Sequence, residues 1–215
     1  MRDPLVGVRA CGSCPDRHPD FTPPRNGAKL HRSFRDDERS YEVKVRVLLL
    51  IIVMLMLAGC LGMPKSVQPV PGFELDRYLG KWYEAVRLDH SFERGLSQVT
   101  AEYKLRDDGG VSVLNRGFSE SENRWKEAWG KANFVGSSSE GYLKVSFFGP
   151  FYGSYVIFEL DHEHYQYAFV SGPNTKYLWL LSRTPFVSPE VIAKFIEMSK
   201  ARGFDTDSLI YVEQN

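Results

Sequence analysis

The stretch "VTAEYKLRDDGGVSVLNRGF", residues 99–118, reads as a single β-hairpin. Side chains alternate along an extended chain, so Val99, Ala101, Tyr103 and Leu105 share one face and Thr100, Glu102 and Lys104 the other. Asp107 to Gly110 supplies the turn, because Asp-Gly accepts the positive φ that a tight hairpin demands. Similar runs recur on both sides. "KWYEAVRL" (81–88) comes before it and "RWKEAWGKANFV" (124–135) after it, with Gly130 expected as a bulge. "GYLKVSFF", "SYVIFEL", "YQYAFVS" and "KYLWLLSR" bring the total to eight.

Eight antiparallel strands in sequence leave two bare edges unless the sheet closes. Eight is also the number at which a closed barrel can hold one small ligand. The predicted fold is therefore all-β, an eight-stranded antiparallel up-and-down β-barrel. Ser188 as N-cap, Pro189 at the first helical position and the stripe Val191, Ile192, Phe195 and Ile196 predict a C-terminal α-helix packed outside, stopping at Gly203. "LIYV" (209–212) is expected to add a last strand.

Upstream lies a different kind of segment. "KVRVLLLIIVMLMLAGC" (44–60) has two basic residues, an apolar run of 12 residues from Val47 to Ala58, then a small pair and a cysteine. That run falls short of the ~20 residues of a spanning helix and matches the layout of a secretory signal. Residues 1–42, rich in Arg, Asp and Pro, read as disordered or as an extension upstream of a start at Val43 or Val45. Cys11 and Cys14 have CxxC spacing but lack the strand–helix setting of a redox motif. The expected organisation is 1–42 extension, 43–59 signal peptide, 60–72 Pro/Gly-rich tether holding the domain off a membrane, and 73–215 folded domain.

The whole chain has 27 basic and 27 acidic residues, but residues 60–215 carry 17 and 20 and are mildly acidic. No basic patch points to nucleic acid. The same residues hold 26 aromatics, which favours β structure. Cys60 is their only cysteine, so no disulfide braces the domain.

"DRYLGKWYE", with Gly80 and Trp82, resembles the lipocalin signature, and "YLWLLSRTP", with Arg183, resembles the late lipocalin motif. With "RDDGG", "KVSFFGPFYG" and the lipobox-like Leu57-Ala58-Gly59-Cys60, the chain resembles the bacterial lipocalins, outer-membrane lipoproteins related to apolipoprotein D. The likeness runs from about Phe73 to the C-terminus. It implies lipidation at Cys60, a bacterial outer-membrane location with the domain facing the periplasm, and a role in lipid storage, transport or repair. Leu61 agrees with outer-membrane sorting, since Asp at that position is the usual retention signal. The implied ligand is a fatty acid, lysophospholipid or similar amphiphile. No cofactor and no metal site are expected, and His162 and His164 read as turn residues.

Topology makes its own demand. In an up-and-down barrel the first strand begins where the eighth ends, so Trp82 and Arg183 should meet and close that end with a cation–π pair of about 0.5–2 kcal/mol. Loops 89–98, 119–123, 148–153 and 172–176 gather at the other end, with Phe92, Phe148, Phe151 and Tyr152 as candidate mouth residues. Those rings either receive an acyl chain, pack together, or make a homodimer contact. Tyr103, Val113, Trp129, Val145, Phe158, Phe169 and Trp179 are the candidate ligand-lining residues. A strand that turns Trp82 inward also turns Glu84 inward, and a buried carboxylate needs a partner. Two alternatives to a binding module stand: a structural envelope lipoprotein with a filled barrel, and a lipid-modifying enzyme. The sequence lacks a Gly-x-Ser-x-Gly elbow, and Cys60 precedes the barrel, so neither supplies a nucleophile within it.

Overall fold

The computed structural model describes residues 41–49 and 61–214. Residues 41–49 are helical and carry an exposed Arg46–Glu42 pair at 3.2 Å. The extension up to residue 40, most of the signal segment and Cys60 lie outside the described residues.

Strands β1 (Gly80–Leu88), β2 (Leu96–Leu105), β3 (Val111–Ser119), β4 (Arg124–Phe134), β5 (Tyr142–Phe148), β6 (Phe151–Leu160), β7 (Tyr167–Ser171) and β8 (Leu178–Ser182) pair antiparallel in sequence order. β8 returns to β1, and β1 pairs with β2, which closes the barrel. The 99–118 hairpin forms as expected, with Tyr103 opposite Val113 and Leu105 opposite Val111. Connections 89–95, 120–123, 149–150 and 172–177 sit at one end, the open end. Trp82 and Arg183 lie at the other.

The β1–β2 seam is zipped only from Gly80 to Tyr83. Beyond it, β9 (Leu209–Tyr211) pairs with Val86–Leu88. Just past β9, the Gln214 side chain donates to Glu84 O at 2.8 Å and to Val99 O at 2.9 Å. The C-terminus thus fills the split and satisfies carbonyls that would otherwise be left bare. On the far side, the β4–β5 ladder covers only Lys131–Phe134.

A short helix, α1 (Leu75–Tyr78), crosses the closed end, and α2 (Pro189–Ala201) packs outside. The Ser188 hydroxyl caps α2 by accepting from Val191 N, with Pro189 in the first turn. Gly203 ends it with φ +83, a conformation that favours glycine. Two apolar clusters result. The inner one includes Trp82, Tyr103, Val113, Leu143, Ile157, Ala168, Val170 and Leu181. The outer one lies under α2 and joins Val86, Val156, Phe158, Phe169, Leu178 and Leu180 to Phe195 and Phe204.

Two expectations change here. Gly130 is not a bulge, since β3 and β4 pair without interruption. A Cβ at Gly130 would meet the Phe147 ring at 2.8 Å, so its role is to make room for that ring. Nor is the 60–72 segment a slack tether over its described part. Val67 is fully buried, Pro64 is buried, Val70 N donates to Ile157 O at 2.9 Å, and the Ser66 hydroxyl donates to Arg202 O at 2.6 Å. The apolar Val67 and Met63 have more to gain against the outer cluster than in water.

Candidate functional site

The closed end is a packed stopper. Trp82 is fully buried, its indole N–H donates to Tyr78 O at 2.7 Å, and its ring lies 4.7 Å from the Tyr78 ring. The Arg183 guanidinium sits 3.9 Å over the indole and donates to Lys81 O at 3.0 Å and Arg77 O at 2.6 Å. Gly80 passes beneath Arg183 with φ +93, which a side chain would resist. Above the stopper, Tyr155 links the hydroxyls of Tyr78 (2.7 Å) and Tyr103 (2.8 Å). Burial, the largest influence, pushes all three phenols above the usual tyrosine range, so they stay neutral donors.

The upper half of the barrel is less densely filled. On β4 the inward face carries Lys126, Ala128, Gly130 and Ala132, opposite Gly117, Asn115, Val113 and Val111 of β3. Ala128 falls on the inward parity of β4 and is nonetheless exposed, beyond the stretch that β5 pairs. Val145, Phe147, Tyr155 and Trp179 pack on the inner cluster and are partly buried. Asn115 Oδ1 is buried with no hydrogen-bond partner among the described residues.

A charged cluster occupies the β1 side near the mouth. A bulge between Glu84 and Val86 brings Glu84 and Arg87 to the same side. Arg87 Nη1 donates to Glu84 at 2.7 Å, and Nη2 donates to Glu93 O at 3.0 Å and Leu96 O at 3.2 Å. Glu93 Oε2 accepts from the Trp179 indole at 3.1 Å and lies 2.9 Å from His90 Nε2. His90 stacks on Phe92 at 4.0 Å and neighbours Trp179 at 5.2 Å, so the β1–β2 loop folds down onto β8.

Burial, then the neighbouring Glu93 charge, push the Glu84 carboxyl well above the carboxylate range against the pull of Arg87. Burial also acts to raise Glu93, but hydrogen bonding and charge from His90, the Trp179 indole and Glu84 outweigh it and hold Glu93 low. Of the two neighbouring carboxyls, Glu84 is the one pushed toward its protonated form and Glu93 the one held toward its charged form. A raised folded value adds stability fully present below the unfolded value of about 4.3 and lost as pH climbs through the folded one. Glu84→Gln should therefore remove part of the parent's stability loss as pH rises above the unfolded carboxylate value of about 4.3, read as melting temperature against pH. Glu93 has the opposite sign: its contribution is lost as pH falls through its lowered value. A Glu84→Gln profile parallel to the parent's would contradict a raised Glu84 carboxyl.

Four of the predicted lining residues, Tyr103, Val113, Val145 and Trp179, belong to the inner cluster. Three do not. Phe158 and Phe169 face outward under α2, where Phe169 meets Phe195 edge-on at 5.0 Å and Phe158 stacks on Phe204 at 6.2 Å. Trp129 is 62 % exposed on the outer face of β4, because its neighbours Ala128 and Gly130 point inward. At the mouth, Phe92, Phe148 and Phe151 are exposed and Tyr152 is half-buried, with Lys144 Nζ 5.3 Å from its ring. Sequence reasoning missed Tyr155, Asn115, Phe147, Arg87 and Glu93. Only Arg87 had a signal, since an inward Glu84 needs a cation within reach.

Residues 73–214 match the lipocalin-like domain family. The outer membrane lipoprotein Blc of Vibrio cholerae is 71 % identical over 170 residues, covering 79 % of this chain and 99 % of that protein. The Escherichia coli K12 protein of the same name is 50 % identical over 151 residues, 70 % of this chain and 85 % of that one. Mouse apolipoprotein D is 28 % identical over 161 residues, 72 % of this chain and 84 % of that one. Among solved structures, insecticyanin from the tobacco hornworm superposes with a TM-score of 0.58 at 22 % identity, over 72 % of this chain and 87 % of that one, which speaks to the fold alone.

Proposed function

The chain belongs to the family of lipocalin-like domains, and on that footing we propose that it holds a fatty acid, a lysophospholipid or a similar amphiphile in the upper half of its barrel. It does so as a lipoprotein anchored through Cys60 in the bacterial outer membrane, for lipid storage, transport or repair. The anchoring and location rest on the lipobox-like residues and on relatives named outer membrane lipoproteins.

The observation that carries the ligand reading is the exposed Ala128 on the inward parity of β4, together with the partly buried Val145, Phe147, Tyr155 and Trp179 on the inner cluster. Apolar surface of this kind favours an acyl chain, at about 0.8 kcal/mol per buried methylene. Ten methylenes supply about 8 kcal/mol, on the scale of a micromolar complex before ordering costs. The polar end of the ligand would lie near Asn115 and the mouth. The fully buried Trp82, Tyr78 and Tyr103 leave the lower half as scaffold.

Titration of the lipid-free domain with palmitate and with lysophosphatidylethanolamine, read by Trp179 emission, should saturate at micromolar ligand. Trp179→Phe should remove most of the signal. Ala128→Phe should weaken binding at least about tenfold, or 1.4 kcal/mol, with little loss of stability, because the new ring enters open lumen. No saturable change in the parent with either lipid would favour the filled-barrel reading.

A further inference from the structure

The open end carries apolar surface that the barrel does not use. Phe148 is 80 % exposed, Phe151 69 % and Phe92 57 %, and all three lie in or beside connections at this end. Large exposed rings gathered on one end mark a contact surface. The course of the N-terminal segment identifies what they contact.

That segment climbs the outside of the barrel from the closed end to the open one. Phe73 N donates to Ser139 O near the closed end. Val70 and Val67 pack higher up, and Gly62 reaches Pro173 in the β7–β8 turn, where a Cβ would lie 3.8 Å from the Pro173 carbonyl. Leu61 O accepts from the Tyr142 hydroxyl at 3.2 Å, and that hydroxyl also lies 3.4 Å from Ser154 Oγ. Leu61 is therefore held at the level of Ser154. Cys60 is the next residue in the sequence. A single step in sequence separates the proposed anchor residue from Leu61, which is tied to the barrel wall.

Phe151 stands three residues nearer the tip than Ser154, or about 10 Å of strand. An anchor that fixes Cys60 at a bilayer surface thus places the β5–β6 tip about that far beyond it. This equals the ~5–10 Å depth at which interfacial apolar groups settle between headgroups and acyl chains.

We infer that the mouth is a membrane-docking surface: the docked N-terminal segment holds the open end against the leaflet that carries the anchor, with Phe148 and Phe151 inserted at its interface. Ligand then passes between lumen and leaflet without crossing water. The inference rests on the anchor proposed above, and its test does not depend on ligand binding.

The test uses the lipidated protein beginning at Cys60, confirmed by the mass of its N-terminal peptide. It is placed in vesicles of phosphatidylethanolamine and phosphatidylglycerol containing acyl-brominated phosphatidylcholine. Phe148→Trp should shift its added emission to the blue and lose most of it to the bromines. Phe186→Trp provides the control, since Phe186 is 81 % exposed and follows Arg183 at the closed end; its added emission should be retained. A ten-residue Gly/Ser insertion between Gly62 and Met63, which adds roughly 17 Å of slack, should bring the two signals together. Equal quenching of both tryptophans without the insertion overturns the inference, as does quenching of neither. Phe148→Trp that is shielded in soluble dimers but not quenched in vesicles overturns it in favour of a second copy. A protein that leaves the vesicles because Cys60 carries no lipid overturns it together with the anchor.

Discussion

Trp82→Ala will lower the unfolding free energy by about 3–5 kcal/mol, the cost of emptying a buried indole site that cannot collapse. Little can move in to fill the space. Tyr78 is pinned through its hydroxyl to Tyr155, and Arg183 is pinned to the carbonyls of Lys81 and Arg77. The substitution also leaves Tyr78 O without its indole donor and the guanidinium without its π face. For a domain of this size that loss corresponds to a fall on the order of 10 °C in melting temperature. Trp82→Phe should cost less, because it keeps an aromatic face and most of the volume. Urea unfolding of the lipid-free domain checks both. A Trp82→Ala variant with the parent's midpoint would show that the closed end is not a stopper.

Arg87→Met will cost a similar amount, about 3–5 kcal/mol, for a different reason. Met matches the length of the arginine stem but donates nothing. Glu84, Glu93 O and Leu96 O each lose a donor in a site where Arg87 is only 2 % exposed. Most of the penalty comes from stranding those acceptors. Adding Glu84→Gln removes the carboxyl that most needs the guanidinium, so the double variant should recover part of the loss. A double-mutant cycle on the two positions measures that coupling, which for residues in one buried network reaches about 0.5–3 kcal/mol. Strict additivity would mean that Glu84 and Arg87 do not act as a pair. Because Arg87 ties β1 to the β1–β2 loop, its loss should also loosen the His90–Phe92 stack beside Trp179.

Much of this molecule is written locally. The alternation in 99–118 and its Asp-Gly turn are enough for a hairpin, since a turn fixes register and a period of two fixes which side chains share a face. Ser188, Pro189 and Gly203 similarly mark the ends of α2, because helix termini need a cap acceptor and a left-handed exit. The meeting of Trp82 with Arg183 follows from strand count alone: an even number of alternating strands brings the chain back to the end where it began. These features depend on neighbours in sequence or on simple topology, and both can be read from the chain.

Which face of a strand became the lumen was decided elsewhere. Phe169 and Val170 are both fully buried, one under α2 and one inside, so hydrophobicity could not tell them apart. α2 begins only at Pro189, and nothing within β7 announces that its outer face will be covered. One-residue bulges after Glu84 and Ile157 then reverse parity partway along β1 and β6 with no composition to mark them. On β4 the expectation that large residues point inward inverted, because Phe147 from the next strand already fills the space at Gly130. The same holds for the segment before Phe73, which has the composition of a linker but packs Met63 and Val67 against the outer cluster and Val70 against the inner one. Sequence determined which residues stand together along each element. Only the packed structure decided which way those groups face, because facing is set by what arrives to cover them from distant parts of the chain.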